Sequence, residues 1–308
     1  MVDFKVNDQV RKMNEILGSY EFQDEISNSP APIFIIGLPR SGTTIFFQLL
    51  VDWFMVSYPD NLTSKFWSNP VFGFNISNEL SPYSSRYVGE RNSSTGFTSN
   101  VFGTSEFGYY WKRFFNYTNA HQQTQKELTQ INWKKIEKEI YFIEKSIKLP
   151  VVFKNPAAIT PNVLGLVKNL KSAKFVFIKR DLSYVAQSIY KERLKTKKTN
   201  NWLFTRPIFW QDQLLQSPQK QIIWQINKLN EIIEQAQKEL ENQGRKFEII
   251  QYEDFCAFPQ KSRYNLSNSF NLELKNPEKK PLPLNLKNRL EIDENVFLEF
   301  KNHLTESN

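Results

Sequence analysis

The stretch "FIIGLPRSGTTIFFQLL" (34–50) constrains this chain more than any other. An apolar run breaks into Gly, Pro, Arg, Ser and Gly, then resumes with the spacing of a helix. Phe46, Leu49, Leu50 and Trp53 recur at the intervals of one helix face. "APIFIIG" (31–37) is short and continuously apolar, as a strand buried inside a parallel sheet must be. A strand that becomes a helix through such a loop gathers backbone amides and the positive end of a helix dipole at one point. That combination binds anions.

The same rhythm returns further on. "INWKKIEKEIYFIEKSIK" (131–148) reads as a helix and "LPVVFKNP" (149–156) as a strand ending at Lys154. "TPNVLGLVKNLK" (160–171) reads as a helix, "AKFVFIKRD" (173–181) as a strand and "DLSYVAQSIYKERLK" (181–195) as a helix. After a Trp-rich interruption (201–215), a long helix over 220–243 stops at Gly244, and "KFEIIQYEDF" (246–255) is the last strand. Alternating strands and helices predict an α/β three-layer sandwich: a central, mostly parallel sheet of the P-loop nucleotide-binding type. The expectation is a single domain over 1–308. Residues 1–30 read as a leading helix and polar connector, and 276–308 as a connector and final helix. Residues 58–120 differ in kind, with aromatics scattered among polar loop residues and no long period. They predict an irregular insertion that walls an acceptor pocket, or packs its aromatics as a small core of its own.

Composition removes several classes. The formal charge of +8 favours anionic partners, but the basic residues are dispersed. The densest cluster, "KERLKTKKT" (191–199), reads as a solvated helix end, so no nucleic-acid partner is expected. One cysteine, Cys256, rules out an intrachain disulfide framework and a cysteine zinc cluster. With only His121 and His303, neither a histidine triad nor a histidine metal site is expected, and a general base should be a carboxylate. The best membrane candidate, "IFFQLLVDWFMV" (45–56), is short and interrupted by Gln48 and Asp52, where a span needs about 20 apolar residues. The N-terminus has no signal-peptide core, and a cytoplasmic enzyme is expected.

In "GLPRSGTT" (37–44), Gly42 permits close approach, while Ser41, Thr43 and Thr44 add hydroxyls to the amides of 40–44. The ATP/GTP loop has the spacing G-x-x-x-x-G-K-[ST]. Gly37 and Gly42 keep that spacing, but Thr43 stands where the lysine would be, and the cation is Arg40 inside the loop. The strand ending "IKRD" offers no convincing magnesium carboxylate.

"PRSGTT" after an apolar strand resembles the phosphosulfate loop of the sulfotransferases that use 3′-phosphoadenylyl sulfate (PAPS). Its arginine resembles the protein-tyrosine and several bacterial branches. In that family a strand ends in Arg and a Ser follows eight residues later, and the pair holds the 3′-phosphate. "FVFIKRDLSYVAQSIY" (175–190) supplies Arg180 and Ser188. "FKNP" (153–156) resembles the strand end whose lysine points at the transferring group, here Lys154. "IIQYEDF" (249–255) is similar to the strand-terminal Tyr-Glu-Asp, with Tyr252 touching the nucleotide and the acids structural.

The resemblance covers 31–256 and implies sulfuryl transfer from PAPS to an acceptor hydroxyl or, less readily, an amine. The acceptor could be a glycan, glycolipid or small alcohol. Adenosine 3′,5′-bisphosphate (PAP) would be the product, with no metal required. The expected donor-binding residues are Arg40, Ser41, Gly42, Thr43, Thr44, Arg180, Ser188 and Tyr252. Arg40 and Lys154 are expected to flank the bridging oxygen, with Glu106 as general base and Glu79 and Glu90 in reserve. Aromatic surroundings would raise the pKa of Glu106; its competing role is an ion pair with Lys112 or Arg113. The family's basic C-terminal Arg-Lys-Gly loop is missing, with Lys287 and Arg289 the nearest substitutes. The alternative to a sulfotransferase is a P-loop kinase of a small metabolite. A non-catalytic nucleic-acid binder would rest on net charge alone.

Overall fold

A computed structural model describes residues 7–20, 24–89, 100–196 and 202–304. Among them, four strands form one sheet: β1 (Ile33–Gly37), β2 (Val152–Lys154), β3 (Lys174–Lys179) and β4 (Phe247–Gln251). The order is β2-β1-β3-β4 and every pairing is parallel. β1 is buried along its whole length, as its unbroken apolar sequence requires. Phe34 lies in register with Phe153 on one side and Phe175 on the other. The three rings stack, each neighbouring pair of centroids 5.7 Å apart. This aromatic ladder lies at the centre of the core.

Helices flank the sheet. Thr43–Trp53 follows β1 after the loop 38–42 and buries Phe46, Leu49 and Leu50. Leu182–Lys195 follows β3, capped by Asp181, whose carboxylate accepts from the Ser183 and Tyr184 amides. The long helix Pro218–Asn242 packs on both Val163–Asn169 and Leu182–Lys195. The final helix Glu294–His303 lies against the same pair of long helices. No helix among the described residues is long and apolar enough to cross a membrane.

Two readings need correction. The insertion contains a regular helix, Pro70–Leu80, capped by Asn69 and packed on Trp133–Ile147. Gly73, Asn75 and Asn78 weaken its propensity, so tertiary contact around buried Phe74 holds it. The last strand ends at Gln251, and Tyr252, Glu253 and Asp254 instead open a helix, Tyr252–Ala257. Two acids in a first turn complement the helix dipole, which favours that break.

Crossovers run from β1 to β2 on one side and back past β1 to β3 on the other. A parallel sheet opens a crevice at such a switch point, beyond the carboxyl ends of its strands. The predicted loop, strand ends and Arg180 all lie at that edge.

Candidate active site

Leu38, Pro39, Arg40 and Ser41 form a tight turn in which the Ser41 amide donates to Leu38 O at 3.2 Å. Proline second and a positive φ third are the marks of a type II turn. Arg40 carries that positive φ, 71°, where a non-glycine residue is strained. The Ser41 hydroxyl also donates to Leu38 O, at 2.8 Å, and the residue is fully buried. Ser41 was expected to offer its donors outward; here both point inward and hold the turn.

Gly42 caps the following helix with φ 92° and no side chain to offer. The first amides of a helix have no partner within it. Among the described residues, the amides of 42–45 find no acceptor elsewhere either. Four donors at a helix start therefore converge without a protein acceptor.

They face a cavity of about 920 Å³. Arg40, Gly42, Thr43, Thr44, Arg180, Ser188 and Tyr252 all line it. Arg40 Nε donates to Ser188 Oγ at 2.9 Å, joining the loop to the helix after β3. Arg180 Nη1 donates to Arg40 O at 2.9 Å, so the second arginine braces the strained turn. β3 and β4 end in register at Lys179 and Gln251, which brings the next residues, Arg180 and Tyr252, together. The Arg180 guanidinium lies 4.7 Å from the Tyr252 ring centre.

Positive charge accumulates here. Lys191, Lys195, Lys287 and Arg289 join the two arginines in the lining. Burial lowers the Arg40 pKa, the Glu192 carboxylate opposes this, and the Arg180 charge adds to it. Tyr252 is pushed up to about 12, chiefly by burial, so its phenol is neutral. Two guanidiniums that repel each other, half-buried Arg40 and buried Arg180, form a site that an anion would stabilise.

A second cluster touches the first through Thr44. Lys154 Nζ donates to Thr44 Oγ1 at 2.9 Å and forms an ion pair with Glu106. Lys154 is buried, while the Glu106 side chain is about one-third exposed. Asn155 Nδ2 donates to Glu106 O at 2.9 Å, tying that backbone to the end of β2. Neither competing partner takes Glu106: Arg113 pairs with Glu139, and Lys112 lies over the Tyr109 ring. Glu79 is exposed on the helix Pro70–Leu80, and Glu90 lies outside the described residues.

The sequence reading named Lys287 and Arg289 but missed Asn288, which fastens their segment as a strap over the cavity. Residues 284–291 have no periodicity, yet Asn288 Oδ1 accepts from Arg180 Nε and Nη2, at 3.0 and 2.8 Å. Asn288 Nδ2 in turn donates to Glu253 Oε1 at 2.6 Å. Gln187 clamps the next turn of the strap, donating to Arg289 O and accepting from the Glu291 amide. The nearest signal in the sequence was "NLKNRL" itself, a basic run close to where the resemblance required one.

The model of the Sulfotransferase family matches residues 32–276. No curated protein matches significantly. Among solved structures, the chain is similar to sulfotransferase STF1 from Mycobacterium tuberculosis H37Rv. The two are 14% identical over 96% of this chain and 76% of that one, with a TM-score of 0.48. It is also similar to the sulfotransferase domain of the Synechococcus PCC 7002 olefin synthase, 15% identical over 82% of this chain and 78% of that one, TM-score 0.43. Sulfotransferase STF9 from Mycobacterium avium is 11% identical over 96% and 71%, TM-score 0.45. The family match spans most of the chain and contains the loop, Lys154, Arg180 and Ser188, so this protein belongs to the sulfotransferase family and is a sulfotransferase enzyme.

Proposed function

We propose that the chain transfers a sulfuryl group from PAPS to an acceptor hydroxyl, releasing PAP. One observation carries the reading: the helix-start amides and the Arg180–Ser188 pair line the same cavity. The amides of 42–45 suit the 5′-phosphosulfate. Arg180 and Ser188 suit a 3′-phosphate, which would take over guanidinium donors that Asn288 and Lys287 O engage in the free protein. Arg40, bonded to Ser188 on one side and set in the loop on the other, borders both.

In the transfer, the acceptor oxygen attacks sulfur while the bond from sulfur to the bridging oxygen breaks, leaving negative charge on PAP. Lys154, held by Thr44 at the loop, is the cation to meet that charge. The acceptor proton passes to the Glu106 carboxylate, whose exposed share leaves room for an acceptor beside it. Pairing with Lys154 places the base next to the group that neutralises the leaving oxygen. As in phosphoryl transfer, positioning and charge neutralisation supply most of the catalysis.

The test is calorimetry with PAP, 5′-AMP and ATP. PAP should bind far more tightly than 5′-AMP, and labelled PAPS should pass its sulfur to a screened hydroxyl acceptor. Equal affinity for PAP and 5′-AMP, or turnover only with Mg-ATP, would refute the reading and favour a kinase.

A further inference from the structure

Gln48 lies one helical turn beyond Thr44 on the helix Thr43–Trp53, and it too lines the cavity. It is 2% exposed, and neither its amide nitrogen nor its amide oxygen has a hydrogen-bond partner. Buried polar groups are rarely left this way, because each forfeits its bonds to water without replacement. Beyond Thr43 in its first turn, the other buried positions of this helix are Phe, Leu, Val and Trp, so packing alone would favour an apolar residue at Gln48.

The surroundings indicate what would satisfy it. Ile45 comes from the same helix, and Leu284 and Leu286 come from the strap; all three line the cavity. The charged lining comes from Arg40 in the loop, Arg180 just after β3, Lys191 on the helix that follows, and Lys287 and Arg289 on the strap. A molecule filling this space needs anionic groups and a flat, largely apolar ring. A carboxamide offers a donor beside an acceptor and pairs with a ring edge that carries the reverse. Adenine presents such an edge, an amino group next to a ring nitrogen.

We infer that Gln48 reads the amino-bearing edge of the purine base and thereby selects the nucleotide that the cavity accepts. The inference rests on the reading of the cavity as a PAPS site. The base supplies the acceptor and donor that Gln48 lacks, while Ile45 and the strap leucines cover its faces. The unpaired amide of the free protein is thus satisfied only in the complex.

The experiment compares PAP with purine riboside 3′,5′-bisphosphate, which lacks only the 6-amino group, by calorimetry. Wild type should prefer PAP by about tenfold or more, the worth of a buried hydrogen-bonded pair. Gln48→Met should lose that preference and keep its affinity for the purine riboside compound. The ligand-free variant should melt no lower than wild type, because an unpaired buried amide has been removed. Gln48→Leu repeats the comparison should the methionine pack badly. Wild type indifferent to the amino group, or a variant that keeps the preference, overturns the inference and leaves the PAPS site standing. Wild type that binds neither bisphosphate overturns the PAPS site, and this inference with it.

Discussion

The α-carbon of Gly42 lies so close to the Tyr252 ring that a β-carbon there would stand 2.4 Å from Cδ2. The first residue of the last helix at this edge thus packs directly on the point where the anion loop passes into its helix. Two costs meet at Gly42, since its φ of 92° is also left-handed. For Gly42→Ala the backbone term alone is about 1–2 kcal/mol. The variant should melt lower than wild type and lose PAP binding almost completely. Tyr252→Ala in that background should recover the steric share and leave the backbone share, which thermal melts would separate.

Arg180 serves two masters, the cavity and the strap, through Arg40 O, Lys287 O and Asn288 Oδ1. Arg180→Ala should cost PAP about 2 kcal/mol of affinity, the worth of a hydrogen bond to a charged group, and cost 5′-AMP much less. Asn288→Ala frees the guanidinium without removing it. PAP should then weaken only a few-fold, read by the same titration.

Lys154 and Glu106 form one unit, so their substitutions should not multiply. Glu106→Gln should lower kcat by about 10²-fold or more, the usual share of a general base. Lys154→Ala should lower it by about 10²–10³-fold, as for a donor aimed at developing charge. PAP affinity should be nearly unchanged in both. Single-turnover rates with the double variant close the cycle, and a fully active Glu106→Gln would remove that residue from the reaction.

In the insertion, Asp60 is fully buried and its carboxylate accepts from Arg86 Nη1 at 2.6 Å and from the Thr63 amide at 2.7 Å. The chain on either side of it bonds to residues 103–105, just ahead of Glu106: Ser105 donates to Pro59 O and Asn61 to Gly103 O. Removing one member of a buried pair strands the other, at about 3–5 kcal/mol. Asp60→Ala should show that loss in urea denaturation. Catalysis should fall with it, because the segment that carries Glu106 loses its anchor.

His121 is buried; its Nδ1 accepts from the Arg206 amide at 3.0 Å, which pins the Trp-rich segment. Burial first, then the Arg206 charge, lowers its pKa to about 4. Between about 6.5 and 4 the unfolded chain takes up a proton that the folded one refuses, so acidification destabilises the fold. The fully developed loss is about 3 kcal/mol, an upper figure. His121→Gln should be less stable at neutral pH and flatter across that window. Subtracting its stability curve from that of wild type cancels the opposing slopes of buried Glu139 and half-buried Glu144, whose pKa values desolvation raises.

The α/β rhythm was legible because β1 is buried along its whole length and β3 through its four central residues, and both must be apolar there. Arg180 and Ser188 both reach the cavity lining because a strand end and the helix that follows it fix their separation. Ser41 was misread: composition says that a hydroxyl is present, and only the turn says which way it points. The helix Pro70–Leu80 escaped because contact with Trp133–Ile147, not its own residues, makes it helical. The strap escaped because Asn288 meets Arg180 from 108 residues away, through a segment without period. Gln48 looked like a mere interruption of an apolar stretch, although its polarity within that stretch was the signal.

The Phe34, Phe153 and Phe175 ladder has a consequence for discrimination by size. Lys154 comes one residue after Phe153, the anion loop follows the strand of Phe34, and Arg180 lies five residues beyond Phe175. The stacked rings therefore set the spacing of Lys154, the loop and Arg180, the groups proposed to grip the donor, like marks on a gauge. A molecule too short for the gauge leaves one end unheld, and one too long meets the wall.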